Sequence, residues 1–166
     1  MNQQPTQTKM LNVYTVIEIL LLCGLAVFLV LLLRQEPKTE KSIEDLQTPI
    51  LKELNLDVMQ EGADQDVKRV FGLNAEDYDG ICYYMPSSEM DVCELLLVKL
   101  KDNDQKDAVV SAAQARLDTQ KQNFDGYGTN QTALLEDAII DTAGGCVLYV
   151  VAENPQAADD AFHDAL

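Results

Sequence analysis

Residues 19–33 read ILLLCGLAVFLVLLL, fifteen residues without a charged or strongly polar side chain. The preceding segment, residues 11–18 (LNVYTVIE), extends this run with few polar interruptions. As a helix rising about 1.5 Å per residue, residues 11–33 would be roughly 34 Å long, enough to cross a hydrocarbon core of about 30 Å. We therefore predict a transmembrane anchor over residues 11–33, preceded by a polar tail over residues 1–10.

Two other interpretations of the same run are less favourable. A cleaved signal peptide has a shorter apolar region and a small-residue cleavage site, whereas this run ends in leucines and Arg34. A lipoprotein would be lipidated at Cys23, but the preceding Leu22 is not small, and apolar residues continue after Cys23. Glu18 is expected at the headgroups; a carboxylate inside the membrane would be a candidate functional site.

Composition limits the partners of the rest of the chain. The whole chain carries 12 Lys and Arg against 28 Asp and Glu, a formal net charge of −16 at pH 7. A field of this sign repels phosphate backbones, so we expect no nucleic-acid partner. The four cysteines contain no C-x-x-C pair, which gives neither a disulfide framework nor a zinc signature. No metal site and no cofactor are predicted.

After a charged linker over residues 34–42, residues 43–166 are long enough for one domain with its own core. Residues 79–85 (DGICYYM) and 94–101 (ELLLVKLK) are typical of two strands of an antiparallel hairpin with a long loop. Residues 146–152 (CVLYVVA) are typical of a strand covered on both faces. With helical patterns between them, the predicted order is α-α-β-β-α-α-β-α. This is an α+β domain with a three-stranded, mostly antiparallel sheet packed by helices.

Catalytic candidates are few. Cys82, Cys93 and Cys146 are the cysteines of the domain, and His163 is the only histidine. No spacing singles out a Cys–His pair, and cysteines on strands are usually small buried core residues. A disulfide between two of these cysteines stays open, because it depends on strand register. We predict no catalytic residue and no enzyme activity.

Tyrosines on the predicted strands suggest an interaction surface. Tyr83, Tyr84 and Tyr149 either pack half-buried on the sheet or form a patch for a protein or peptide partner, because tyrosine is enriched in interfaces.

The long helix provides two further candidates for that surface, Arg116 and Gln120. Spacings of four, four and three residues place four side chains along one side of the helix and its exit: Arg116, Gln120, Phe124 and Tyr127. Phe124 and Tyr127 are expected to be buried. Arg116 is interpreted as a structural residue paired with a carboxylate such as Glu136 or Asp137, or else as an exposed recognition residue.

Four segments carry a resemblance to a known family. They are RVFGLNAEDYDG (69–80), YYMPSSEMDVCELLLVKLKD (83–102), ARLDTQKQNFDGYGTNQTALLEDAII (115–140) and GGCVLYVVAENPQAADDAF (144–162). This pattern resembles DUF4358, a small bacterial family of unknown function. The resemblance implies a membrane- or lipid-anchored extracytoplasmic protein, with the C-terminal domain outside a single-pass cell-membrane anchor. It implies no activity, cofactor or catalytic residue.

Two functions follow as expectations. The first is a non-enzymatic, membrane-anchored binding or interaction module. The alternative is a cell-envelope enzyme or a small-ligand-binding domain. A flat tyrosine-bearing face would favour the first, and a pocket lined by convergent polar residues would favour the alternative.

Overall fold

The computed structural model describes residues 13–33, 38–126 and 128–166 and divides into two compact units, Met1–Gln35 and Glu36–Leu166. The described part of the first unit is the helix α1 (Val13–Leu33). Its large apolar side chains are exposed, from 43% at Val16 to 79% at Tyr14. Among the described residues, no helix combines the length and the apolarity needed to cross a membrane.

The second unit is an α+β domain. Its helices are α2 (Ile43–Lys52), α3 (Asp64–Phe71), α4 (Lys106–Phe124), α5 (Thr129–Glu136) and α6 (Pro155–Ala165). Its strands are β1 (Met59–Glu61), β2 (Gly80–Pro86), β3 (Glu94–Lys99), β4 (Ile139–Ala143) and β5 (Cys146–Val151). Short 3-10 turns lie at Leu56–Val58, Ala75–Asp77 and Asn103–Gln105.

The sheet has five antiparallel strands in the order β1-β2-β3-β5-β4, so the prediction of three strands is wrong. The predicted element order changes accordingly, because two strands were missed. Strand β1 has three residues, too short to show an alternating pattern. Strand β4 begins at Ile139, three residues after α5 ends at Glu136, and has only five residues.

The predicted hairpin and the predicted buried strand are both confirmed. Strand β2 pairs with β3 from Gly80↔Lys99 to Tyr84↔Leu95. Strand β5 is buried along its whole length and pairs with both β3 and β4. Helices cover both faces of the sheet: α2 and α6 pack on the face that includes Leu97, and α3 and α4 pack on the face that includes Leu96.

Local signals begin and end several helices as the sequence predicts. The Ser42 side chain accepts from the backbone N–H of Asp45 at the start of α2, and Asn154 does the same for Ala157 at the start of α6. Gly72 ends α3 in the left-handed conformation at φ 72°. In α4 the buried stripe begins at Val109 and continues through Ala113, Leu117 and Gln120.

Candidate ligand-binding site

A buried carboxylate lies at the centre of the candidate site. Glu94 is the first residue of β3 and is 0% exposed. Strand alternation gives it the same face as Leu96 and Val98, the face on which α3 and α4 pack. Because an unpaired charge is very costly in a core, Glu94 requires partners.

Those partners come from three elements. Arg116 on α4 donates through Nε to Oε2 of Glu94 at 2.9 Å and to Oε1 at 3.3 Å. The Tyr83 hydroxyl on β2 donates to Oε1 at 2.7 Å, and the Tyr149 hydroxyl on β5 donates to Oε2 at 3.4 Å. Both carboxylate oxygens are therefore bonded, which is the condition for a tolerable buried ion pair.

Strand pairing explains why the two tyrosines converge. Tyr83 and Tyr149 both lie opposite Leu96 in the register, one on each side of β3, and Glu94 is two residues before Leu96 on the same face. Long side chains at such diagonal positions on neighbouring strands can contact each other, so both tyrosine rings can reach the Glu94 carboxylate. Phe71 of α3 packs edge-on against both rings, with centroids 5.3 Å from Tyr83 and 6.0 Å from Tyr149.

Gly62 makes room for the ring of Tyr83. A Cβ atom built at Gly62 would lie 2.3 Å from Cδ1 of Tyr83, which is a steric clash. The position of the Tyr83 ring therefore depends on a glycine after β1.

Burial and charge shift the acid–base behaviour of this cluster. Burial raises the pKa of Tyr83 and of Tyr149, and the negative charge of Glu94 raises both further, so the hydroxyls keep their protons and act as donors. Burial alone would lower the pKa of Arg116, but its hydrogen bond and ion pair with Glu94 raise it. The two tyrosines and the arginine therefore keep their protons across the physiological pH range.

An open cavity of about 550 Å³ lies beside this cluster. Its walls come from α3, α4 and the loop between β2 and β3, and its lining includes Arg116, Gln120 and Tyr83. The lining also includes five apolar side chains, Val70, Met85, Pro86, Met90 and Phe124, and the polar side chains Gln60, Ser87, Ser88 and Asn123. The volume falls within the range of about 300–1,000 Å³ found for small-molecule sites.

Two side chains in this cavity keep unused hydrogen-bonding capacity. Gln120 is only 6% exposed and makes no hydrogen bond with any residue that the structure describes. Arg116 bonds through Nε, and within the described parts of the chain its two Nη atoms make no hydrogen bond. Its side chain is 19% exposed. In the described structure the Gln120 amide atoms are not among the buried side-chain atoms that lack a partner, so the amide opens onto the cavity, where a bound ligand can reach it.

Charged side chains on the cavity lining are divided between the helices and the loop. Arg69 of α3 and Arg116 of α4 are basic, whereas Glu89 and Asp91 of the loop are acidic. Arg69 also donates to Oδ1 of Asp66 at 2.6 Å in an exposed ion pair. The helix side of the cavity therefore presents N–H donors from Arg69, Arg116 and Gln120.

The residues expected to form an interaction surface lie in different environments. Tyr83 and Tyr149 are buried at 3% and 0% exposure, and only Tyr84, which packs towards the opposite face of the sheet, is partly exposed. Arg116 and Gln120 lie together with Tyr83 on the cavity. Phe124 lines the same cavity and is half-buried, and Tyr127 lies outside the described residues.

The partner of Arg116 differs from the expected one. The arginine is paired with a carboxylate, as its structural interpretation requires, but that carboxylate is Glu94 and neither Glu136 nor Asp137. Sequence reasoning assigned no role to Glu94. The sequence signal for its burial was its position: Glu94 is an acidic residue on the same strand face as the apolar Leu96 and Val98.

The cysteines and the histidine do not form a catalytic pair in the described structure. All four cysteines are free, and Cys82, Cys93 and Cys146 are buried. Burial raises the pKa of Cys82 to about 12 and that of Cys146 to about 11, so their thiols are poor nucleophiles near neutral pH. His163 lies 2.6 Å from Oδ2 of Asp141, and no hydrogen bond joins it to a cysteine among the described residues.

Comparison with known proteins gives one match. The sequence profile of a domain of unknown function, DUF4358, matches residues 52–152. These include Tyr83, Glu94, Arg116, Gln120 and Tyr149, and the match covers more than half of the chain. No curated protein and no solved structure matches.

Proposed function

Because the chain belongs to the DUF4358 family, whose function is unknown, we propose that it is a membrane-anchored, extracytoplasmic and non-enzymatic binding module. Its ligand is a small molecule or a peptide end that occupies the cavity between α3, α4 and the β2–β3 loop. The observation that carries this proposal is the Gln120 side chain, which lies on the cavity with 6% of the residue exposed and has no hydrogen-bond partner among the described residues.

The donors on the cavity favour a carboxylate ligand. The Nη atoms of Arg116 and the amide of Gln120 both offer N–H groups, and a guanidinium fork matches the geometry of a carboxylate. Next to these donors lie Met85, Met90 and Phe124, which suit an apolar group on the same ligand. A carboxylate beside an apolar side chain is the chemistry of a peptide C-terminus or an acylated amino acid.

The anchor part of the proposal is supported by α1 and by the family resemblance. The large apolar side chains described on α1, from Tyr14 to Leu29, are exposed, and Glu18 is the charged residue among them. Exposed apolar surface of this extent requires cover, and a bilayer supplies it. The resemblance to anchored extracytoplasmic proteins favours an outward-facing domain.

The shape of the site favours a ligand over a flat protein partner. Tyr83 and Tyr149 have their hydroxyls bonded to Glu94 inside the core, which leaves them little surface for recognition. The polar groups that remain available converge on a concave surface instead, as in small-ligand sites.

A matched pair of probes tests this function. Binding of N-acetylated amino acids with apolar side chains is measured by calorimetry on the full-length chain in detergent, beside the corresponding C-terminal amides. We expect the acids to bind and the amides to bind at least about tenfold more weakly, the value of one charge-assisted hydrogen bond.

Variants on one helix provide the control. Gln120→Met removes the cavity amide and is expected to weaken binding of the acids by about tenfold. Gln114→Met, on the exposed side of α4 where Gln114 donates to Asp118, should bind like the parent. Equal binding of acids and amides, or an unaffected Gln120→Met, would contradict the proposal.

A further inference from the structure

A second cluster of side chains lies away from the cavity, where α6 packs on β4. Asp141 is on β4, and Asp159 and His163 are one helical turn apart on α6. One ligand atom from each of the three lies within 4.8 Å of the others. His163 Nε2 is 2.6 Å from Oδ2 of Asp141 and 4.0 Å from Oδ1 of Asp159.

In each aspartate of this cluster, one carboxylate oxygen accepts a hydrogen bond from a group outside the cluster. The other oxygen faces the remaining two residues of the cluster. Oδ1 of Asp141 accepts from the backbone N–H of Thr142 at 2.7 Å, which leaves Oδ2 towards His163. Oδ2 of Asp159 accepts from the Gln156 amide at 3.3 Å. Such outer hydrogen bonds orient the ligands of metal sites and are part of their construction.

One oxygen in the cluster has no partner. Oδ1 of Asp159 is a buried atom without a hydrogen bond in the described structure. The two carboxylates repel each other unless a cation lies between them. His163 Nε2 is 4.0 Å from Oδ1 of Asp159, too far for a hydrogen bond to that oxygen.

We propose that Asp141, Asp159 and His163 form a binding site for a first-row divalent cation, with Zn²⁺ as the probe. Imidazole nitrogen and carboxylate oxygen are ordinary ligands for Zn²⁺ at about 2.0–2.2 Å, and small side-chain movements bring the three atoms to a common centre. Three protein ligands leave a further position for water. The half-exposed His163 side chain gives an entry path from solvent.

The site joins the C-terminal helix to the edge strand of the sheet. Asp141 belongs to the outermost strand, β4, while Asp159 and His163 belong to α6, which follows β5. A bound cation therefore links α6 to β4 and stabilises the folded state by mass action. This role is independent of the cavity between α3, α4 and the β2–β3 loop.

Calorimetry with ZnCl₂ tests the site on the full-length, tag-free chain in detergent. Cys23 is replaced by serine in every protein used, because its thiol is exposed and would compete for zinc. We expect one saturable equivalent of Zn²⁺ and a rise in the thermal midpoint of the domain. Absence of saturable binding by this protein would overturn the proposal.

Variants separate ligation from general negative charge. His163→Ala and Asp159→Asn should each weaken Zn²⁺ binding by more than about 100-fold, and Gln156→Ala by about 10–100-fold, as outer-shell changes do. Asp160→Asn is the matched control, because Asp160 is exposed on the same helix and also accepts from Gln156. It should bind like the parent. If His163→Ala or Asp159→Asn also binds like the parent, the three residues do not form the site.

Discussion

Replacing Arg116 by methionine isolates the buried ion pair. Glu94 is fully buried and Arg116 is 19% exposed, so the substitution keeps the aliphatic packing but leaves a carboxylate in the core with only two tyrosine donors. Removing one partner of a buried pair costs about 3–5 kcal/mol. Since Arg116 is partly exposed, we expect the lower end, about 3 kcal/mol.

The second half of this experiment replaces both partners. In the double variant Arg116→Met with Glu94→Gln, no unpaired charge remains: the amide oxygen of the glutamine accepts from one tyrosine hydroxyl, and its NH2 group donates to the other. The cost should therefore be smaller than the sum of the two single costs by about 2 kcal/mol, a coupling energy typical of residues in direct contact.

The assay is urea unfolding of the full-length chain in a mild detergent. The protein has no tryptophan, so near-ultraviolet circular dichroism reports on its tyrosines. The matched control is Arg69→Met, which removes an exposed pair with Asp66 and should leave the unfolding free energy nearly unchanged. Two results would refute the argument that the buried Glu94 needs its arginine partner. One is a loss of unfolding free energy below about 1 kcal/mol in Arg116→Met. The other is a double variant whose loss equals the sum of the losses in the two single variants.

Three more predictions concern other parts of the molecule. At pH 8 the Cys82 thiol should react with iodoacetamide far more slowly than a free thiol. The reason is that raising its pKa from 9.0 to about 12 lowers the fraction of thiolate roughly 1,000-fold. Peptide mapping measures the labelling, and fast labelling of Cys82 would contradict this prediction. The full-length chain should stay with membranes through a high-salt wash, and external protease should reach its domain; a salt-extracted or fully protected chain would contradict the anchor or its orientation. Because the pKa of Tyr83 and that of Tyr149 are raised, the folded state binds more protons than the unfolded state above pH 10. The free energy of unfolding should therefore fall as the pH rises above 10. It should fall less steeply in the double variant Tyr83→Phe with Tyr149→Phe.

The sequence predicts those parts of the fold that local patterns encode. The β2–β3 hairpin and β5 follow from continuous apolar runs, and the starts of α2 and α6 follow from Ser42 and Asn154. The edge strands β1 and β4 escape prediction for a physical reason. Their pairing with β2 and β5 is a tertiary interaction, and neither strand has a pattern of its own long enough to show it.

The candidate site was predictable in its chemistry but not in its geometry. Arg116 is too costly to bury alone, so a carboxylate partner was required, but 22 residues separate it from Glu94 along the chain. Only the sheet register and the packing of α4 bring the two together. Likewise, the amide of Gln120 becomes informative only when its lack of partners among the described residues is visible.

The unfolding free energy of Gln120→Met tests the central claim most directly. Methionine has nearly the same shape but needs no hydrogen bond. If Gln120 keeps its amide free for a ligand, the variant without ligand should be about as stable as the parent, and Gln114→Met should also change little. A loss of more than about 1 kcal/mol in Gln120→Met would show that the amide supports the fold itself, and would contradict its assignment to a binding site.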